Sequence, residues 1–356
     1  MAKRKLILAS VAAAVAATLA GGASAQQEIQ LTAISGLPPA SVGTRLIRDH
    51  FIPEVDRLLA EKGQYKIAWT QAYAGSVAKQ QAILKAVGDG IGDVGYVNTL
   101  FEGDKLPLEQ ITFVTPFGSG NPGKVLDVID QLRAQVGDMN AAFERQKQVY
   151  LGGVVIDTYH VESTFEIKSL DDLKGRKLGA PGLSANWLTG TGATPVAGSL
   201  STYYNSLQTG VYDGIITFES AIAPFKFYEV AKYVALVNIG APLGSALTIN
   251  QARFKALPEP VRAVLTKVGM TYQAAVAEDY RTSGEKSMEA AKAAGAVITE
   301  FPASERQRWA RVLPNIAKQW AADLDAKNIP GTKALTTYMD LSRKAGIEHA
   351  RAWDKE

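Results

Sequence analysis

Hydrophobic and polar positions along this chain switch repeatedly between a period of two and a period near 3.6, the pattern of an α/β protein. Residues 29–34 alternate as a first strand, Pro38 and Pro39 interrupt it, and residues 42–61 read as a helix. A second strand is predicted over 65–72, a helix over 77–87 and a short strand over 93–97. Strand and helix in alternation wind a lobe from βα units. Residues 149–155 are apolar and β-branched, which predicts a buried parallel strand. A second α/β series follows: a short helix over 170–173, a strand over 177–180, helical segments at 187–190 and 201–209, and strands over 214–218 and 233–239. Residues 245–250 then return the chain to the first lobe.

From 258 to 294 the sequence is helical almost without interruption, opening on a proline, which helix N-termini tolerate. At ~1.5 Å per residue, such a helix is about 55 Å long and must brace both lobes. Gly269 and Gly284 each weaken it by ~1 kcal/mol relative to Ala, which marks them as places for a kink or break. Further helix is predicted over 304–327 and 331–350, and no clear internal repeat is visible. The expected division is therefore 26–156 with 243–282 as the first lobe, and 157–242 with 283–356 as the second.

The N-terminus changes how charge is read. Lys3, Arg4 and Lys5 precede an apolar run over 6–19 and the small residues Ala23-Ser24-Ala25, the layout of a secretory signal, with cleavage expected after Ala25. The run is shorter than the ~20 residues of a spanning helix. Removing 1–25 takes three of the 38 Lys and Arg and none of the 35 Asp and Glu, so the exported chain carries no net charge. The pI of about 8.8 belongs to the precursor, and nucleic acid is not an expected partner. With no cysteine, disulfides and thiolate chemistry are excluded. About 330 remaining residues, in a chain that is 47% hydrophobic, suffice for two cores.

Catalytic motifs are present only in fragments. Gly90-Ile-Gly92-Asp-Val-Gly95 matches a dinucleotide fingerprint, but it follows a helix and precedes a strand, the reverse of what pyrophosphate binding needs. It reads instead as a helix stop and tight turn. Ser76-Val-Ala-Lys79 fits the S-x-x-K of penicillin-binding enzymes without their K-T-G strand, and Ser283-Gly-Glu-Lys286 matches it again. His50, His160 and His349 lie far apart and outside metal-binding spacings. His160, with Tyr159 and Asp157, follows the strand at 149–155, where ligand-facing side chains gather; a packed, structural histidine is the equal alternative. No metal or cofactor is expected.

One region carries a family signature. The run from Ile167 to Leu178, Gly192-Ala-Thr-Pro195, and the run from Tyr204 to Gly214 resemble, in order and spacing, the extracytoplasmic binding proteins of tripartite ATP-independent periplasmic (TRAP) transporters. Ala74-Gly75 and the run from Asp89 to Asp93 resemble that family's first lobe. The resemblance implies a two-lobed α/β periplasmic-binding-protein fold, a ligand cleft between the lobes, and a long helix spanning both. It also implies a periplasmic, non-enzymatic receptor, expected to be monomeric, that closes by a hinge on a small molecule and docks on membrane permease subunits. The alternatives are an S-x-x-K serine enzyme and a sensory ligand-binding module of the same fold.

The sequence departs from the family at its most informative point. An arginine that pairs with substrate carboxylate in most members is replaced here by Gly179, and a second basic position falls at Tyr159. A glycine cannot supply the guanidinium fork's two charge-assisted bonds. Three substitutes are conceivable: a cation at Lys79 or Arg45, backbone N–H groups near Gly182-Leu-Ser184, or a neutral or zwitterionic ligand complemented by Glu219. The expected ligand is thus a small polar metabolite, an organic acid other than the family's simple carboxylates. Matching position by position, Asn98 and Thr217 are candidate polar contacts, and Leu200 stands where many members carry an aromatic. Trp187 and Phe218 offer apolar surface, with core packing as the alternative for both.

Overall fold

The computed structural model describes residues 26–356, so the expected signal segment lies outside the described residues. Eleven strands form two sheets. The first contains β1 (Gln27–Ser35), β2 (Tyr65–Ala72), β3 (Val94–Val97), β4 (Gln148–Val155) and β10 (Leu243–Asn250), in the order β2-β1-β3-β10-β4. The second contains β5 (Tyr159–Ser163), β6 (Lys177–Ala180), β7 (Thr194–Ala197), β8 (Gly214–Phe218), β9 (Tyr233–Leu236) and β11 (Val297–Glu300), in the order β11-β9-β5-β8-β6-β7. From β1 to β11 the chain passes between the two sheets three times. Residues 156–158 lead out, 237–242 lead back, and the helix Glu259–Ala293 passes from the first sheet to the second. The first two crossings are tied side by side, Tyr159 N–H donating to Gly240 O at 3.1 Å and Ile239 N–H to Tyr159 O at 2.9 Å. Two paired strands and one helix thus form the hinge between two lobes.

Each lobe is built on the same unit, which the sequence does not disclose. β1-β2-β3 pair in the order 2-1-3 and β6-β7-β8 in the order 7-6-8, all parallel. The equivalence extends to individual atoms. Gly90 and Gly210 end their helices at φ +76° and +72°, where a Cβ is disfavoured. Ile91 N–H then bonds Ala86 O, as Val211 N–H bonds Ser206 O. Asp93 and Asp213 follow and grip the neighbouring strand twice. Thr32 N–H donates to the Asp93 carboxylate and Lys177 N–H to that of Asp213, both at 2.7 Å, while each aspartate's own N–H donates back. The glycine run at 90–95 is therefore the helix stop and strand entry that its order predicts.

Other expectations need correcting. The strand at 149–155 is antiparallel to β10 and stands at the end of its sheet. Its apolar character comes from the helices that pack on it, Pro122–Gln135, Asp138–Arg145 and Glu259–Ala293. The spanning helix is continuous over 35 residues, about 52 Å at ~1.5 Å per residue, with no break at either glycine. A Cβ on Gly269 would lie 2.4 Å from Leu151 O, and one on Gly152 would lie 2.6 Å from Gly269 O. Glycine is there because β4 and the helix touch backbone to backbone. The helix expected over 304–327 is two, Ala303–Val312 and Ile316–Asp325, separated at Leu313-Pro314 and restarted by the Asn315 side chain, which accepts from Lys318 N–H. The C-terminal helix Gly331–Lys344 packs on Pro122–Gln135.

Candidate functional site

Where the lobes face each other, both contribute walls to an inner chamber of about 40 Å³. The first lobe supplies Leu37, Gln80, Tyr96, Asn98, Leu100, Phe101 and Ser245, and the spanning helix supplies Tyr280. The second lobe supplies Tyr159, Pro181, Ser199, Leu200, Tyr203, Ile216, Thr217 and Phe218. Many of these positions are fixed by strand ends: Tyr96 and Asn98 lie at the carboxyl end of β3, and Thr217 and Phe218 at that of β8. Ligands settle at such ends in α/β sheets because the loops that follow diverge there.

No ionised side chain lines the inner chamber among the described residues. Its phenols are neutral: burial pushes Tyr96, Tyr159, Tyr203 and Tyr280 above their ordinary value, with the Asp157 carboxylate adding to the effect at Tyr159. Tyr159 packs against Phe218 with ring centroids 5.3 Å apart, and Phe218 meets Tyr280 edge-on at 6.2 Å, so these rings form one connected aromatic stretch of the wall. Two polar atoms stand ready. The Asn98 amide donates to Ser245 Oγ at 2.9 Å, while its Oδ1 has no partner, and the buried Thr217 Oγ1 has none either. Unsatisfied buried polar atoms are rare, and a ligand group completing them is one reason for keeping them.

Of the nine residues singled out from sequence, the structure brings Asn98, Tyr159, Thr217 and Phe218 together in this chamber, beside Leu200. His160 and Glu219 lie outside its lining, in a network of their own. His160 Nδ1 accepts from Asn238 N–H at 3.2 Å, which puts the ring proton on Nε2, 2.9 Å from Glu219 Oε1. Asp157 accepts from Ser220 N–H at 2.6 Å and from Ser220 Oγ at 3.1 Å. Burial raises the Asp157 pKa well above the carboxylate range, and Glu219 raises it further. Gly284 of the spanning helix closes over both acids, since a Cβ there would lie 2.7 Å from Glu219 Oε2 and 2.8 Å from Asp157 Oδ2. The cluster fastens the second sheet to the helix at the hinge.

Trp187 lies one layer behind Tyr159, meeting its ring edge-on at 5.5 Å and stacking on Phe113 at 5.7 Å. Its Nε1 donates to Phe113 O and its carbonyl accepts from Trp309 Nε1, both at 2.6 Å. Lys79 is exposed, sits beside Gly75 and lines neither this chamber nor its neighbour. Ser76 is exposed as well, so Ser76 and Lys79 do not share an enclosed site. Gly179 is buried behind Tyr203 and Tyr212, whose rings would lie 3.0 Å from a Cβ at that position. Two tyrosine rings pack against the position where the sequence resemblance places an arginine.

Sequence reasoning missed Tyr96, Phe101, Tyr203 and Tyr280. Aromatics on apolar faces look alike whether they fill a core or wall a chamber, so only the facing of the two sheets distinguishes them. Against the inner chamber lies an outer cavity of about 410 Å³, sharing Leu37, Leu200, Phe218 and Tyr280 and bordered also by Arg45, Ser283 and Lys286.

Two hinged lobes with walls drawn from both make a chamber suited to enclosing a small ligand. Residues 54–323 match the family model described as bacterial extracellular solute-binding protein, family 7. The chain belongs to this family, and it is a solute-binding protein rather than an enzyme. It is 34% identical over 149 residues to the C4-dicarboxylate-binding periplasmic protein DctP of Rhodobacter capsulatus, covering 41% of this chain and 44% of that one. It is 28% identical over 184 residues to a solute-binding protein of Sulfitobacter sp. strain NAS-14.1, covering 51% and 54%. The matches span about half the length of these curated relatives. A TRAP solute-binding protein from Rhodoferax ferrireducens, solved with copurified benzoate, shares the fold at a TM-score of 0.79 and 20% identity, covering 89% of this chain and 98% of that one.

Proposed function

We propose that this protein is a periplasmic solute receptor that captures a small organic acid between its lobes, closes them around it and delivers it to the membrane subunits of a TRAP transporter. The observation that carries the reading is a chamber whose walls come from both sheets, so that a guest bridges the lobes and favours their approach. The benzoate and C4-dicarboxylate named for the similar proteins support an organic acid as cargo. Asn98, Tyr159, Thr217 and Phe218 are the contacts we assign to it. We place the lobe boundaries at 156–157 and 242–243, in the paired crossings, and the signal cleavage after Ala25.

A thermal-shift screen of the exported chain against a metabolite library tests the reading. A ligand at 100 times its Kd adds about 2.7 kcal/mol to stability. Small-angle scattering on the same ligand should show a smaller radius of gyration. A library without a stabilising solute, or a stabilising solute that leaves the particle's dimensions unchanged, would refute lobe closure on a guest.

A further inference from the structure

The arrangement of charge across the two adjoining cavities bears on how a ligand lies in them, a question that rests on the solute-receptor reading above. The inner chamber is walled by aromatic and aliphatic side chains and offers only neutral polar atoms. Burying a carboxylate there without a cation costs several kcal/mol, so an acid would not enter head first. The outer cavity differs. Among the described residues that border either cavity, Arg45 and Lys286 are the cations, and both border the outer one. Arg45 spends one guanidinium nitrogen on Asp279 Oδ1 at 2.6 Å, and Ser283 Oγ donates to the same oxygen at 2.7 Å. Lys286 is exposed and has no ion pair among the described residues.

One helix face connects the two environments. Tyr280 borders both cavities, and Ser283, Lys286 and Ser287 follow it at the three- and four-residue steps that share a face. Six residues of helix rise ~9 Å, and because helical side chains lean toward the N-terminus the long Lys286 side chain reaches back toward Tyr280, within range of a carboxylate attached close to a ring seated there. Ser283 and Lys286, a chance S-x-x-K in the sequence, are here an outward ladder from apolar to cationic surroundings.

We propose that the ligand is a monocarboxylate with an apolar body, a ring or a branched chain, held body inward: its hydrocarbon lies against Leu200, Phe218 and Tyr280 where the two cavities meet, and its carboxylate rests in the outer cavity against Lys286, with Arg45 alongside. This polarity is the reverse of a carboxylate gripped by an arginine at position 179, where the two tyrosines now stand. Lys286 is thereby a specificity-determining residue for the charged end.

The test is calorimetric titration of the exported chain with benzoate, phenylacetate, 3-phenylpropionate and 4-methylvalerate, set against phenylacetamide and succinate. At least one of the four monocarboxylates should bind more tightly than both the amide and succinate. Lys286→Ala should weaken that acid roughly tenfold or more while Lys286→Arg retains it, as expected for a charge-assisted contact. The loss should shrink as salt is raised. Lys286 is exposed, so the variant should melt like the parent. Tightest binding of succinate, or an acid whose affinity ignores Lys286→Ala, overturns the inference. If none of the four binds while another library solute stabilises the protein, the inference falls and the receptor reading stands. If no solute binds, both fall.

Discussion

Gly179→Arg places an arginine where the sequence resemblance expects one, and the structure predicts that it will damage the protein rather than convert it. A Cβ at this position already lies 3.0 Å from Tyr203 and from two atoms of Tyr212, rings that are 1% and 4% exposed. Overpacking of this kind costs about 1–3 kcal/mol, so even Gly179→Ala should lower the melting temperature. The full arginine must also place a guanidinium between two buried tyrosine rings. A buried charge without a partner costs about 3–5 kcal/mol. Together the two effects amount to roughly half of a typical stability of 5–15 kcal/mol. Urea unfolding of the parent, Gly179→Ala and Gly179→Arg should therefore give midpoints falling in that order. The double variant Gly179→Arg, Tyr203→Ala removes the ring between position 179 and the chamber. It should recover stability relative to the single variant and acquire affinity for succinate. A Gly179→Arg protein that unfolds at the parental midpoint and binds succinate unaided would show that position 179 has room and opens on the ligand, contrary to the packing described.

Three further outcomes follow from the same physics. Gly269→Ala gains about 1 kcal/mol of helix propensity, but its methyl would sit 2.4 Å from Leu151 O, a backbone atom that cannot swing aside; a net loss of about 1–2 kcal/mol in urea is expected, and a stabilised variant would refute the close contact. Glu162 is wholly buried in β5, neither carboxyl oxygen has a partner, and burial lifts its pKa well above 4.5. Above 4.5 the folded state holds a proton that the unfolded chain releases, so this group's contribution to stability is lost as pH rises through the folded pKa. Glu162→Gln should flatten the decline of melting temperature as pH rises above 4.5, and a slope identical to the parent's would count against a protonated Glu162. Trp187→Phe leaves the Phe113 carbonyl without its indole donor, and a loss of about 1–3 kcal/mol in thermal melts is expected; an unchanged melt would mean that the bond contributes nothing to stability.

Much of the architecture was legible because it rests on local physics. Strands over 65–72, 177–180 and 214–218 coincide with β2, β6 and β8, where short β-branched or alternating runs end at glycine or aspartate turns. The spanning helix was visible as a long run of helix formers. β5, β7 and β11 were not, since each is only four or five residues long and is held by partners distant in sequence, β5 by β8 and β9, β7 by β6, and β11 by β9. The helices Pro122–Gln135 and Asp138–Arg145 were likewise absent from the pattern reading.

By itself, the sequence determined what depends on residue type and near neighbours: α/β class, two lobes bridged by one helix, chemistry without thiols, and the family signature. The tertiary structure decided what depends on which surfaces meet. It moved Trp187, His160 and Glu219 into packing and hinge contacts, and it made chamber walls of Tyr96, Tyr203 and Tyr280. It also brought Arg45 and Lys286, 241 residues apart in the numbering, to the border of one cavity. The reason is that a tyrosine filling a core and one facing a chamber obey the same periodicity. Whether space or another side chain lies beyond the ring depends on how two sheets, joined only at the hinge, come to face each other.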